Sequence, residues 1–387
     1  MLRWRHFCVF FLLGAALSAN PLDVRRYLKP LLEEQLGALI SKNVAIGELR
    51  GNLYNRVILN DVTVSEADGQ NTILIGRAEL TYSLKNILLQ KFDVVSNIRA
   101  VSVDDAYLLL KRDAQDKWNF VLPASGEDQK DNTSKKTPKP KIHVSLNNIS
   151  VRYIDEKGWG QKKLPKRYDQ RLSALHGTAD IKDGEIVFSA AGTLGVNTGV
   201  SLSGRYGQDY DLIINARQVD LAEHGFYALS FSDYKVNTGR ADIDFHIAAR
   251  EKSAPALTAA MRVSGGEFKP GDILAAPLRQ IDGALSWQDG RIYFDNLQAD
   301  LLGSPLTLNG TILLGKIPEV DLQGSIRDVD LQKKYSVFVP LDGVSGVAAA
   351  SFELKGPLSE LSGGGRFAIA DLHYLQNEIG LVSAEFA

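Results

Sequence analysis

Apolar and polar residues alternate along most of the chain from Val44 to its end. A period of two places successive side chains on opposite faces of a β-strand. The pattern therefore predicts a mostly β protein whose strands each have one apolar and one polar face. Clear runs of this kind are Ala78, Leu80 and Tyr82, then Val101 and Val103, then Ala241, Ile243, Phe245 and Ile247, then Leu306, Leu308 and Ile312.

Helical spacing is clearest before this region, over residues 21–42. The apolar residues Leu28, Leu31, Leu32, Leu36, Leu39 and Ile40 recur there at intervals of three and four. Pro30 suits the first turn of a helix, and Glu33 and Glu34 suit the positive end of its dipole. We predict an amphipathic helix over 21–42 and a short helix near 83–90. We expect no further helix to cover the sheet.

The first twenty residues have the layout of an export signal. Arg3 and Arg5 precede a short apolar run from Phe7 to Leu17, and small residues follow its centre. This arrangement is typical of a secretory signal peptide. The run is short for a membrane span, but a tilted or thinned span tolerates shortening. A cleaved signal and an inner-membrane anchor both stay open, and both place the rest of the chain outside the cytoplasm.

Residues 123–141 interrupt the alternation with a stretch that has no large apolar side chain. Such a composition cannot support a core and predicts a disordered linker or long loop. It separates a first β-unit, residues 43–122, from the remaining strands. We interpret the lysines near its end as a solvated loop.

The remaining chain repeats itself. Asp183-Gly184 recurs as Asp289-Gly290, and Ile186 and Phe188 recur as Ile292 and Phe294. Both Asp-Gly pairs lie between alternating runs, which predicts hairpins. The period is about 106–110 residues and each copy has room for about six strands. This predicts repeats at 142–238 and 239–345 and a truncated copy at 346–387. Because a truncated array leaves an unpaired strand edge, we expect the native protein to be longer.

Composition narrows the function. The 44 basic and 46 acidic residues nearly balance, which argues against a nucleic-acid partner. The single cysteine, Cys8, lies in the N-terminal apolar run, so an internal disulfide and a thiolate zinc site are excluded. The six histidines have no metal-ligand spacing, and no nucleophile or phosphate-binding motif occurs in a suitable setting. We predict a protein that is not an enzyme and has no cofactor or metal.

Three segments resemble one protein family. They are VAIGELRGNLYNRVILNDVTVSEADGQNTILIGRAELTYSLKNILL at 44–89, VSVDDAYLLLKRDAQDKWNF at 101–120 and IDGALSWQDGRIYFDNLQADLLGSPLTLNGTI at 281–312. With the basic N-terminus and amphipathic helix, they resemble the AsmA-like proteins, and most closely the TamB type. That family is similar to the repeating β-groove, bridge-like lipid transfer proteins.

The resemblance implies an elongated, twisted, open β-sheet groove whose apolar face holds phospholipid acyl chains. It implies a periplasmic protein at the inner membrane that partners an Omp85-type outer-membrane barrel through a C-terminal region missing from this sequence. The implied function is phospholipid transport between the inner and outer membranes. The alternative is a scaffold of the translocation and assembly module, which assists insertion or secretion of outer-membrane proteins such as autotransporters.

The apolar face allows other interpretations. It must pack on another sheet, close on itself or stay open to an apolar ligand. A packed sandwich or filled solenoid, as in a plain cell-surface β-array, is the alternative to the open groove that the resemblance favours. Under the groove interpretation no residue performs chemistry. The candidate lining residues are Ile186, Phe188, Leu202, Ile243, Phe245, Met261, Leu285, Trp287, Ile292, Phe294, Leu306, Leu308 and Ile312.

Overall fold

The structure is a computed structural model in two compact units. It describes residues 29–34, 36–38, 42–51, 55–66, 69–83, 97–119, 141–158, 164, 166–207, 209–228, 235–250, 255–269, 276–315, 317–332, 343–375 and 377–386. The first unit comprises 1–157, 165–196 and 200–212, and the second comprises 158–164, 197–199 and 213–387. The predicted signal or anchor at 1–20, most of the short helix near 83–90 and the linker at 123–140 lie outside the described residues.

The first unit is a sheet in which strands adjacent in sequence pair with each other. All its registered pairs are antiparallel except β4 with β5, which run parallel. Parallel neighbours need a long connection, and the polar stretch 123–141 lies between these two in sequence. The strands are β1 (Asn43–Gly51), β2 (Arg56–Ser65), β3 (Asn71–Tyr82), β4 (Ile98–Arg112), β5 (Lys141–Asp155), β6 (Tyr168–Lys182), β7 (Glu185–Leu194) and β8 (Thr198–Tyr206).

The second unit is an antiparallel meander from β10 to β18. Its elements are β9 (Tyr210–Asp220), the helix Leu221–Ala228, β10 (Lys235–Ala249), β11 (Ala256–Lys269), β12 (Leu278–Gln288), β13 (Arg291–Leu301), β14 (Ser304–Leu313), β15 (Glu319–Asp330), β16 (Val344–Pro357), a 3₁₀ turn (Leu358–Glu360), β17 (Ser362–Tyr374) and β18 (Asn377–Phe386).

Neither run of paired strands closes on itself. Among the described residues, no register joins β1 to β7 or β10 to β18. The prediction of a mostly β protein with open sheets is therefore confirmed.

The two Asp-Gly turns are where the sequence predicted them. Asp183 and Gly184 have φ of 56° and 88°, and Asp289 and Gly290 have 51° and 77°. Positive φ at both central residues is the type I′ geometry of two-residue hairpins. These turns join β6 to β7 and β12 to β13. The six strands β6–β11 then recur as β12–β17, with β7 beginning at Glu185 and β13 at Arg291.

The helices agree with the sequence-based prediction in one place and differ from it in another. Residues 29–34 and 36–38 are helical, and they fall inside the predicted helix over 21–42, whose other residues, apart from Lys42, lie outside the described part. The helix Leu221–Ala228 was not predicted, so our expectation of no further helix was wrong. The Asp220 carboxylate accepts hydrogen bonds from the backbone N–H groups of Ala222 and Glu223, at 2.9 and 3.0 Å. This N-cap starts a helix too short to show a clear periodicity.

Many strands contain a β-bulge near which the spacing of apolar residues rises from two to three. In the second unit the register shifts between Phe294 and Leu297 on β13, while their partners Gly310 and Leu308 are two apart. The extra residue keeps both apolar side chains on one face and bends the strand. Several of the bulged residues are Asp or Asn with left-handed backbone. Examples are Asn148 (φ 53°), Asn296 (48°), Asp328 (56°) and Asp371 (51°).

Candidate functional site

One face of the second unit bears continuous rows of apolar residues that cross its strands. Directly opposed residues in a sheet point to the same face, so the registers identify the rows. The first row crosses eight strands, a width of about 34 Å at the usual strand spacing. From β10 to β17 it holds Ile243, Met261, Leu285, Phe294, Gly310, Leu322, Leu354 and Gly363.

Three further rows run beside the first on the same face. The second row holds Phe245, Ala259, Trp287, Ile292, Ile312, Val320 and Gly356. The other two begin on β14 and hold Leu308, Gly324, Phe352, Gly365 and Phe386, and Leu306, Ile326, Ala350, Phe367 and Ala384. No residue of these four rows is charged. We call this surface the apolar face of the second unit.

Ten of the thirteen sequence candidates lie on this face: Ile243, Phe245, Met261, Leu285, Trp287, Ile292, Phe294, Leu306, Leu308 and Ile312. All ten are half-buried, touching their neighbours in the sheet but not enclosed. Residues at the centre of a sandwich or a filled solenoid are usually fully buried. The helix Leu221–Ala228 packs against the start of β10, where Gly225 faces Val236.

The first unit has an apolar face of the same kind. One row runs from β2 to β7 through Val57, Leu80, Val101, Val144, Ala179 and Phe188, and Ile186 is aligned with Ile181 and Ile142. Ile186 and Phe188 are half-buried, as is Leu202 on β8. Tyr82 lies two residues beyond Leu80 on β3, and burial raises the pKa of its phenol to about 12.

Charged residues of the strands concentrate on the opposite faces, where they form ion pairs. On β10, Asp244 lies between Ile243 and Phe245 in sequence and pairs with Arg217. On β3, Glu79 lies between Ala78 and Leu80 and accepts from Arg56 at 2.6 Å. The Arg56 guanidinium holds the pKa of Glu79 below its usual value. The alternation thus separates charge from the apolar faces strand by strand.

These faces are suited to contact with an apolar ligand. Within the described ranges, no three His, Cys, Asp or Glu side chains lie together as metal ligands would. Among the same residues, no helix combines the length and hydropathy needed to cross a bilayer. One polar atom is buried on the apolar face of the second unit: Trp287 Nε1 has no hydrogen-bond partner in the described structure.

Sequence reasoning missed how the apolar faces continue across the bulges. It identified Phe294 and Leu308 but not Leu297, which is paired with Leu308. The available signal was an apolar spacing of three across an Asp or Asn. The same signal gives Val329 after Ile326 and Leu372 after Ile369, on either side of Asp328 and Asp371. Strict alternation, which the predictions assumed, breaks at these positions.

Comparisons with family models, with curated proteins and with solved structures return no match for this chain.

Proposed function

We propose that this chain is a non-enzymatic segment of a periplasmic bridge that moves phospholipid between the inner and outer membranes, as an AsmA-like protein of the TamB type. The observation that carries the proposal is the apolar face of the second unit. It presents four uncharged rows, most of whose residues are half-buried, and the first row crosses eight strands. In the proposed protein these rows are the floor of an elongated, twisted groove.

The apolar area that these rows expose to water is large for a soluble protein. A soluble monomer seldom exposes a contiguous apolar patch larger than about 300–600 Å². A surface four rows wide that stays half-exposed therefore favours a ligand that covers it. Each acyl CH₂ that leaves water contributes about 0.8 kcal/mol. A phospholipid can place its acyl chains on the rows, out of water, while its headgroup stays hydrated.

The rows also suit movement of the ligand. Their surface is made of aliphatic, aromatic and glycine residues with no charge at any position, so an acyl chain finds similar contacts at successive strands. No covalent step is needed, which agrees with the proposal of no catalytic residue and no cofactor. Anchoring at the inner membrane and an Omp85-type partner belong to the same proposal, and they rest on the resemblance of residues 44–89, 101–120 and 281–312.

A second candidate function is a scaffold that assists insertion or secretion of outer-membrane proteins. It is favoured by β18, where Ile379 and Leu381 are 53% and 75% exposed. A strand with exposed apolar side chains is suited to pairing with a strand of a client protein.

Photocrosslinking from the apolar face separates these functions. A photoreactive phenylalanine analogue at Phe294 or Phe245 should capture phospholipid from cells, because both side chains lie in the rows. The matched control places it at Tyr293, which lies on the opposite face of β13 and is exposed. Capture of phospholipid at Phe294 and not at Tyr293 supports the bridge. Capture of a client polypeptide supports the scaffold, and no adduct at either row position contradicts the bridge.

A further inference from the structure

The N-terminal helical segment, residues 29–34 and 36–38, occupies one edge of strand β1. Glu33 Oε1 accepts a hydrogen bond from the backbone N–H of Ile46 at 2.7 Å. Lys29 Nζ donates to the backbone carbonyl of Gly47 at 3.2 Å. An acceptor and a donor on one helix thus satisfy backbone groups that a neighbouring strand would otherwise satisfy. Ile46 itself is only 1% exposed.

The same segment also covers apolar surface. Leu32, Val57 and Leu59 each pack against Leu49, which is buried. Leu49 and Leu59 begin a row of the first unit's apolar face that continues through Ala78, Val103 and Leu146. Val57 begins the neighbouring row that ends at Phe188. Leu32 therefore lies where the first strands of both rows meet.

We infer that this helical segment, residues 29–34 and 36–38, is a displaceable plug, in which Leu32 occupies the first acyl-binding position of the first unit. Glu33 and Lys29 hold the plug by polar contacts to β1. An acyl chain that enters at this end competes with Leu32 for contact with Leu49. This inference rests on the proposed function, because it assumes that the ligand of the rows is an acyl chain.

Hydrogen exchange on the full chain tests whether Glu33 secures the plug on β1. Glu33→Ala removes the acceptor from Ile46, and we expect amide exchange in β1 to rise about tenfold, as for loss of a hydrogen bond to a charged group. Glu33→Gln keeps an acceptor oxygen and should preserve most of the protection. Glu34→Ala is the matched control, because Glu34 is the exposed neighbour on the same segment, and it should leave β1 exchange unchanged.

Competition is tested with vesicles of phosphatidylethanolamine and phosphatidylglycerol that contain an acyl-labelled fluorescent phosphatidylethanolamine. Leu32→Ala and Glu33→Ala should take up the labelled lipid several-fold faster than the parent and Glu34→Ala. Lipid loading of the parent should itself raise exchange in β1. Uptake at equal rates, with β1 exchange unchanged by lipid, overturns the plug and leaves the proposed function standing. No uptake by any variant overturns the proposed function and the plug together.

Discussion

Replacing Phe294 with aspartate will reduce phospholipid binding by at least about tenfold while the sheet stays folded. Phe294 lies in the first row between Leu285 and Gly310, and it is half-buried. A carboxylate there removes the apolar contact of several CH₂ groups and presents a charge to the acyl chain. Because the side chain retains access to water, the charge is not trapped in a closed core. Bound phospholipid is measured by mass spectrometry of the purified chain.

The control for this variant is Tyr293→Asp, one residue away on the same strand. Tyr293 is exposed and is opposed by Ser286 and Thr311 on the other face. Tyr293→Asp should keep parental lipid content, and both variants should keep the parental β-sheet circular dichroism. Equal lipid content in the two variants, or unfolding of Phe294→Asp alone, would count against an open lipid-binding face.

The second large effect concerns the stability of the first unit. The Asp155 side chain is 0% exposed, at the end of the parallel pair β4–β5. It accepts hydrogen bonds from the Lys157 backbone N–H at 2.7 Å and the Tyr153 hydroxyl at 3.0 Å, and it lies 3.4 Å from Arg112 Nη1. Asp155→Ala leaves these donors without their acceptor. Breaking a buried charged pair in this way costs about 3–5 kcal/mol.

Urea unfolding followed by circular dichroism measures this loss. Glu156→Ala is the matched variant, since Glu156 is the next acidic residue and pairs with Lys111 at 3.5 Å nearer the surface. That pair should contribute less than about 1 kcal/mol. If Asp155→Ala and Glu156→Ala shifted the midpoint equally, the buried carboxylate would not be the group that secures the parallel pair.

Local patterns accounted for much of this fold. The Asp-Gly pairs specified two hairpins because few other residue pairs tolerate positive φ at both turn positions. Period-two alternation placed ten of the thirteen candidates on one face of the second unit, because parity along a strand decides the face. The recurrence of residues 183–188 at 289–294 anticipated a repeat of six strands.

Two kinds of feature were missed: a helix too short for a periodic pattern, and contacts between partners distant in sequence. The helix Leu221–Ala228 has only two turns, so its signal was the single cap at Asp220 rather than a periodicity. The sequences of β4 and β5 do not indicate that the two strands pair in parallel, since apolar and polar residues alternate in the same way in both orientations. The contact of Glu33 with Ile46 joins two elements whose proximity only the fold reveals.

Quenching of Trp287 by lipid tests the open apolar face most directly. Trp287 lies in the second row, opposite Ala259 and Ile292. Replacing the other three tryptophans, Trp4, Trp118 and Trp159, with phenylalanine makes it the sole emitter. We predict that phospholipid brominated on its acyl chains quenches this fluorescence strongly. A second chain that keeps only Trp118, which is exposed and outside the rows, should be quenched little. Equal emission of the Trp287 chain with brominated and unbrominated lipid would contradict the account.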